Sequence, residues 1–266
     1  MKKKVLCIGC SHLAGAYDKN DNIVGPESWA WHLWNFRGRI EQFYTLPNPG
    51  QGIMQYAALI NYLDNNNLLS QLDTVIIQLT SEPRLVWHSA EFNSYYEGIK
   101  ELLSLNDNFV NGRILITPNT TETIFSSNQR RMYELYQNKF TTTAEKSIWL
   151  DVTDFVSQGM TTPNSIFNSA MFSIYYSYIV NTLQKHNVRY IVFDWWGKTT
   201  NNWDSISHIE QGEFLFTDTN RSVKDLLLSK NEWNRDLQSV GGHMSSELVT
   251  PIAKYIHEDI IKRQLM

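Results

Sequence analysis

The chain of 266 residues is long enough for one large α/β domain with a substantial core. It is 42% hydrophobic and 19% charged, and its formal net charge of −4 leaves no basic excess for a phosphate backbone, which argues against nucleic acid as a partner. Two cysteines make no disulfide framework, so stability must come from the core and a reducing compartment is adequate.

The opening MKKK resembles the basic start of a secretory signal, but only five residues separate Lys4 from Cys10, whereas an apolar signal core needs roughly 7–15. No run reaches the roughly 18 apolar residues of a membrane span either; the best stretch, SIFNSAMFSIYYSYIV, is broken by Asn168 and several serines. A cytoplasmic protein with no membrane partner is expected.

Lys3 to Gly9 is a short apolar run with β-branched residues and reads as a buried strand, followed by the polar loop AYDKNDNIVGPES. Ser28 is a fitting N-cap for a short helix over SWAWHLWNF, and a second strand is expected around Ile40 to Leu46. After the NPGQG turn, IMQYAALINYL has helical spacing up to a stop at Asn65 to Asn67. LDTVIIQLT, Leu72 to Thr80, is the clearest strand, and its continuous apolar run suits a parallel strand covered on both faces.

FNSYYEGIKELLSL reads as a helix, RILITP as a strand and Gln129 to Phe140 as a further helix. The part from about 108 to 160 fits no simple repeat and is taken as an insertion or cap on a single domain spanning 1–266. A long helix is expected over 164–186, then a strong strand in VRYIVFDWW, Val188 to Trp196. In SSELVTPIAKYIHEDIIK, Leu248, Ile252, Ile256 and Ile260 recur on one helical face, with Pro251 predicting a break or a restart capped by Thr250. Strands alternating with helices predict a doubly wound parallel sheet, whose ligands sit at the carboxyl ends of the strands.

That edge is where VLCIGCSHLAG, Val5 to Gly15, delivers its polar residues. Cys7 falls inside the strand, where a cysteine is most often a small buried hydrophobe, and a redox CxxC needs both sulfurs within bonding reach at a helix start. Cys10 and His12 lack a second ligand pair at metal spacing elsewhere, so no metal site is expected. Cys10, Ser11 and His12 lie at the functional edge, where a strand-end serine is by itself most often turn chemistry.

Four short blocks together resemble the SGNH (GDSL) hydrolase superfamily of serine esterases. IGCSHLAG is similar to the first block, typically GDS, with Ser11 as nucleophile and Cys10 in place of the usual Asp. NPGQG is similar to the second, whose glycine gives a backbone N–H to the oxyanion; Gly50 is preferred to Gly52. At the third block QLTS puts Thr80 in the asparagine position. GGHMS resembles the last block, with His243 the catalytic histidine, but neither Val240 nor Gly241 supplies its usual Asp. The form GCS resembles divergent members encoded by tailed phages.

The resemblance implies a flavodoxin-like three-layer α/β/α fold with a parallel sheet. It also implies acyl transfer to Ser11 with His243 as base, and an oxyanion hole from Ser11, Gly50 and Thr80. No cofactor is expected. Asp236 and Asp194 are the candidate carboxylates to orient His243, with a backbone carbonyl as a further option. His12 is a candidate substrate contact, although a side chain beside a nucleophile often points away. Arg84 could bind a substrate carboxylate as a bidentate fork or sit in a surface ion pair. The tryptophans of SWAWHLW and DWWGK suit sugar stacking or, more commonly, a core. The expected substrate is a small-molecule or carbohydrate ester, such as a short-acyl or O-acetyl ester. The other readings are a catalytically reduced binding protein on the same fold and a phage structural or host-interaction protein.

Overall fold

Along β1 (Lys4–Gly9) successive side chains enter different cores: Val5 and Cys7 face one, Leu6 and Ile8 the other. A strand alternates its side chains with a period of two, so an apolar residue at every position requires cover on both faces. The computed structural model describes residues 2–20, 22–25, 27–47, 52–79, 85–87, 92–111, 123–125, 166–195, 214–216, 222–238 and 243–266. It extends the same division to β4 (Gln42–Pro47), β5 (Thr74–Leu79) and β9 (Arg189–Asp194). Tyr44, Leu46, Val75, Ile77, Tyr190 and Val192 join Leu6 in the first core, while Phe43, Ile76, Ile191 and Phe193 join Val5 in the second.

Helices close both faces. The first core is covered by α2 (Ile53–Asn65), α3 (Phe92–Ser104) and α4 (Ile166–Lys185); the second by α1 (Trp29–Phe36), α5 (Val223–Ser229) and α6 (Ser246–Arg263). The protein is thus an α/β fold with a parallel sheet, five-stranded among the described residues, between two helical layers. Its strand order is β7-β4-β1-β5-β9, where β7 is Phe109–Asn111. The three central strands stand in the 2-1-3 chain order of flavodoxin-like sheets, but the fourth sheet strand lies outside the second and the fifth lies beside the third.

This arrangement places a topological switch point at β1, because the chain leaves it for β4 on one side and returns to β5 on the other. A crevice opens outside the carboxyl end of such a strand. Ser11 follows β1 by two positions and so lies at that crevice.

Most elements match the pattern of the sequence, and their ends have local causes. The Ser28 hydroxyl accepts from the Trp31 N–H at 3.3 Å and starts α1. Asn67, in the left-handed region at φ 56°, follows the end of α2.

Three differences matter. The polar loop after β1 contains a small antiparallel hairpin, β2 (Ala16–Tyr17) with β3 (Ile23–Gly25), its tip held by Asp18 Oδ1 accepting from the Asn20 and Asn22 N–H groups at 2.9 Å each. Pro251 does not break α6, which runs unbroken from Ser246 to Arg263. Proline removes a single intrahelical bond there, while Leu248, Val249, Ile252 and Ala253 are buried against the second core on both sides of it. Finally, the segment expected as an insertion from about 108 starts inside the sheet: Phe109–Asn111 pairs in parallel with Phe43–Thr45, so main-chain pairing claims these residues.

β8 (Thr123–Phe125), farther along that segment, pairs antiparallel with β6 (Leu85–Trp87). The strand expected in RILITP, the helix over 129–140 and the rest of the segment to 160 lie outside the described residues. No helix among the described residues is long and apolar enough to cross a membrane.

Candidate active site

The floor of the site is a buried polar cluster at the ends of β1 and β5. Gln78 is completely buried, and each of its polar groups has a partner: Nε2 donates to Cys10 Sγ at 3.2 Å, Oε1 accepts from Trp29 Nε1 at 2.9 Å, and its carbonyl accepts from the Tyr56 hydroxyl at 3.0 Å. Such completeness is what a buried amide requires. The close approach depends on Gly9, where a Cβ would come within 2.7 Å of Gln78 Oε1. Cys10 is thereby turned down into the interior. Cys7 is also a buried free thiol, and burial pushes its pKa well up, keeping it in the neutral form.

Above this floor the chain enters a 3-10 turn, Ser11–Leu13. The turn's own bonds run from the Leu13 N–H to the Cys10 carbonyl and from the Ala14 N–H to the Ser11 carbonyl, both 2.9 Å. The Ser11 N–H takes no part in them. The Ser11 side chain lies 2.7 Å, Oγ to Nε2, from His243, 232 positions away along the sequence. With the imidazole proton on Nδ1, the hydroxyl donates to Nε2, the geometry needed for proton removal from an attacking oxygen.

His243 reaches that position from the short approach to α6. Met244 is bridged to Gln238, and the Ser245 N–H donates to the Leu237 carbonyl at 3.0 Å, which fixes the entry to the helix. Ser245 has the extended backbone of an N-cap, but its side chain makes no capping bond. Two aromatic rings adjoin the pair and a third packs behind one of them. Tyr17 stacks on His243 with ring centroids 4.2 Å apart, and His12 is tilted against His243 at 5.2 Å. His12 in turn stacks on Trp195 at 4.5 Å.

Ser11, His12 and His243 therefore converge at one edge of the sheet. His12 is buried, so it forms a wall of the site as a packed ring. Asp194 is fully buried at the carboxyl end of β9, in register with Leu79 and bridged through its backbone to Ser222. Asp236 does not join the cluster: it is exposed on the 3-10 turn Arg235–Leu237, where Asn234 Oδ1 accepts from its N–H at 2.9 Å, and its carboxylate makes no hydrogen bond to His243. That turn directs the side chain to water. Gly50, Thr80 and Arg84 lie outside the described residues. Trp29, Trp34 and Trp195 are buried, which assigns them to the core.

Two contributors were not visible in the sequence. Tyr17 sits in a stretch that reads as a loop, and Gln78 looks like a polar interruption in an apolar strand. The one available signal for Gln78 was its place one residue before the end of a strand otherwise buried on both faces.

No protein-family model matches the chain, and neither does any curated protein. Among solved structures it is similar to the crystal structure of the lipase Lip_vut3 from a goat rumen metagenome, with 7% sequence identity, 97% of each chain covered and a TM-score of 0.46. At that distance the likeness assigns neither an activity nor a residue's role.

Proposed function

We propose that the protein is a serine ester hydrolase of the SGNH type, with Ser11 as nucleophile and His243 as general base. The observation that carries this reading is the 2.7 Å contact between Ser11 Oγ and His243 Nε2 at the carboxyl edge of the parallel sheet. Two residues chosen for their block positions at opposite ends of the chain meet in the geometry acyl transfer needs.

In the reaction, His243 Nε2 takes the Ser11 proton as the oxygen attacks the ester carbonyl. The tetrahedral oxyanion is stabilised by the Ser11 N–H, with the Gly50 N–H and the Thr80 hydroxyl as further donors by resemblance to the family. The C–O bond to the alcohol then breaks, and the proton on His243 passes to the leaving oxygen. Water, deprotonated by His243, attacks the acyl-enzyme and releases the carboxylic acid and Ser11. The substrate class is a short-acyl ester, a carbohydrate O-acetyl ester among them.

The test is hydrolysis of p-nitrophenyl acetate together with labelling by a fluorophosphonate probe. Ser11→Ala and His243→Ala should each abolish the burst of p-nitrophenol, and the probe should modify Ser11. Turnover unaffected by either change, or a label on another residue, overturns the reading.

A further inference from the structure

Tyr17 touches both halves of the candidate pair at once. Its hydroxyl donates to the Ser11 carbonyl at 2.9 Å, and its ring lies nearly parallel to the His243 imidazole, 4.2 Å away and inclined by 15°. Its backbone N–H donates to the Met244 carbonyl at 3.1 Å. The side chain is buried, so these contacts are shielded from water. One residue thus ties the turn that carries the nucleophile to the segment that carries the base.

The chain reaches this arrangement through Gly15. Its φ of +154° is one that L side chains rarely adopt, and a Cβ there would overlap the Gly25 carbonyl oxygen. Gly15 packs against Gly25 of β3 and leads into β2, whose Tyr17 bonds back to the Ser11 carbonyl only six positions after it.

In serine hydrolases with a full triad, a carboxylate holds the imidazole in orientation and stabilises the imidazolium formed during attack. The block around His243 has no aspartate at the family's position. We propose that Tyr17 is a positioning residue that contributes to both tasks for His243. The stacked phenol restricts rotation of the imidazole about its broad outer torsion. The ring's negative face then attracts the cation that appears when the Ser11 proton moves to Nε2. The hydroxyl bond to the Ser11 carbonyl keeps the nucleophile's turn in register with the stack. Tyr17 neither gains nor loses a proton in any step.

This inference rests on the assignment of Ser11 and His243 as the reacting pair, and its test separates the two claims. Tyr17→Leu removes the ring face, whereas Tyr17→Phe keeps it and loses only the hydroxyl. With p-nitrophenyl acetate, Tyr17→Leu should lower kcat about tenfold with KM within about twofold, between the sizes of an exposed and a fully desolvated cation–π contact, as suits the half-buried His243 ring. Tyr17→Phe should stay within about threefold of the parent, the loss of one neutral hydrogen bond.

A second readout needs no turnover. In protein labelled at histidine, the His243 ring protons should resonate upfield through the ring current of Tyr17, persist there in Tyr17→Phe and move downfield in Tyr17→Leu. Full activity of Tyr17→Leu alongside inactive Ser11→Ala overturns the positioning role and leaves the pair standing. An absent upfield shift in the parent protein overturns it even where Tyr17→Leu does not fold. A parent inert to ester and fluorophosphonate, but showing the ring-current pattern, sinks the esterase reading and keeps the contact.

Discussion

Replacing Gln78 by leucine tests the buried cluster under the nucleophile. The substitution keeps side-chain bulk but removes the acceptor that Trp29 Nε1 uses at 2.9 Å, leaving a fully buried indole N–H unpaired. Stranding such a donor costs about 1–3 kcal/mol. The second lost bond, to Cys10 Sγ at 3.2 Å, adds little because a thiol sulfur is a weak acceptor. A loss of about 2 kcal/mol lowers Tm by about 4–8 °C in a chain of this size. The decisive comparison is a double-mutant cycle with Trp29→Phe. Without the indole there is no donor to strand, so Gln78→Leu should cost at least about 1 kcal/mol less in that background. Thermal or urea unfolding of the four proteins measures this directly. Equal costs in the two backgrounds, within about 0.3–0.5 kcal/mol, would show that the hydrogen bond does not carry the stability assigned to it.

Gly15→Ala should disturb the hairpin and lower esterase kcat by at least about tenfold while most of the fold survives, because strained backbone costs of order 1–3 kcal/mol; wild-type rates would refute the hairpin's part in placing Tyr17. Gly9→Ala sets a methyl against Gln78 Oε1 and should destabilise the protein by about 1–3 kcal/mol, an overpacking cost. Gln78→Ala in the same chain should relieve part of that loss, as measured by the urea midpoint. The α1–α6 interface should be acid-sensitive, since burial is the main cause lowering the pKa of both His32 and His257. The unfolded chain then takes up these protons first, so their contribution is complete above about pH 6.5 and is lost as pH falls below it. Replacing both histidines by glutamine should flatten the change in unfolding midpoint between pH 7.5 and 5.5, and an unchanged slope would remove them as its source.

How much of this was readable in advance depended on whether a residue's task is set locally. β5 and α6 carry their own periodicity, so LDTVIIQLT and the Leu248, Ile252, Ile256, Ile260 series identified them without tertiary information. Ser11 and His243 could be paired as candidates because each stands at the junction of an element with a loop, in a block that resembles one of the SGNH superfamily, and the structure brings the two side chains within 2.7 Å. Tyr17 had no such mark: a two-residue strand has no period to detect, and its partners come from a turn six positions back and from the far end of the chain. Pro251 misled for the opposite reason, since its local effect on the helix is outweighed by the buried face that α6 sets against α1 and the sheet. The edge position of β7 was equally hidden, because three residues of FVN specify an extended stretch but no neighbour.

The 232-residue separation between the hydroxyl and the imidazole also has a temporal meaning. A ribosome must add 232 residues after Ser11 before His243, the proposed base, exists, and α6 must then dock before the two groups come into register. Until that docking the proposed acyl-transfer route is closed to the chain. Onset of hydrolysis after dilution from denaturant would report the docking of α6, the step that joins the most distant parts of the chain and bears the cost of closing its longest loop.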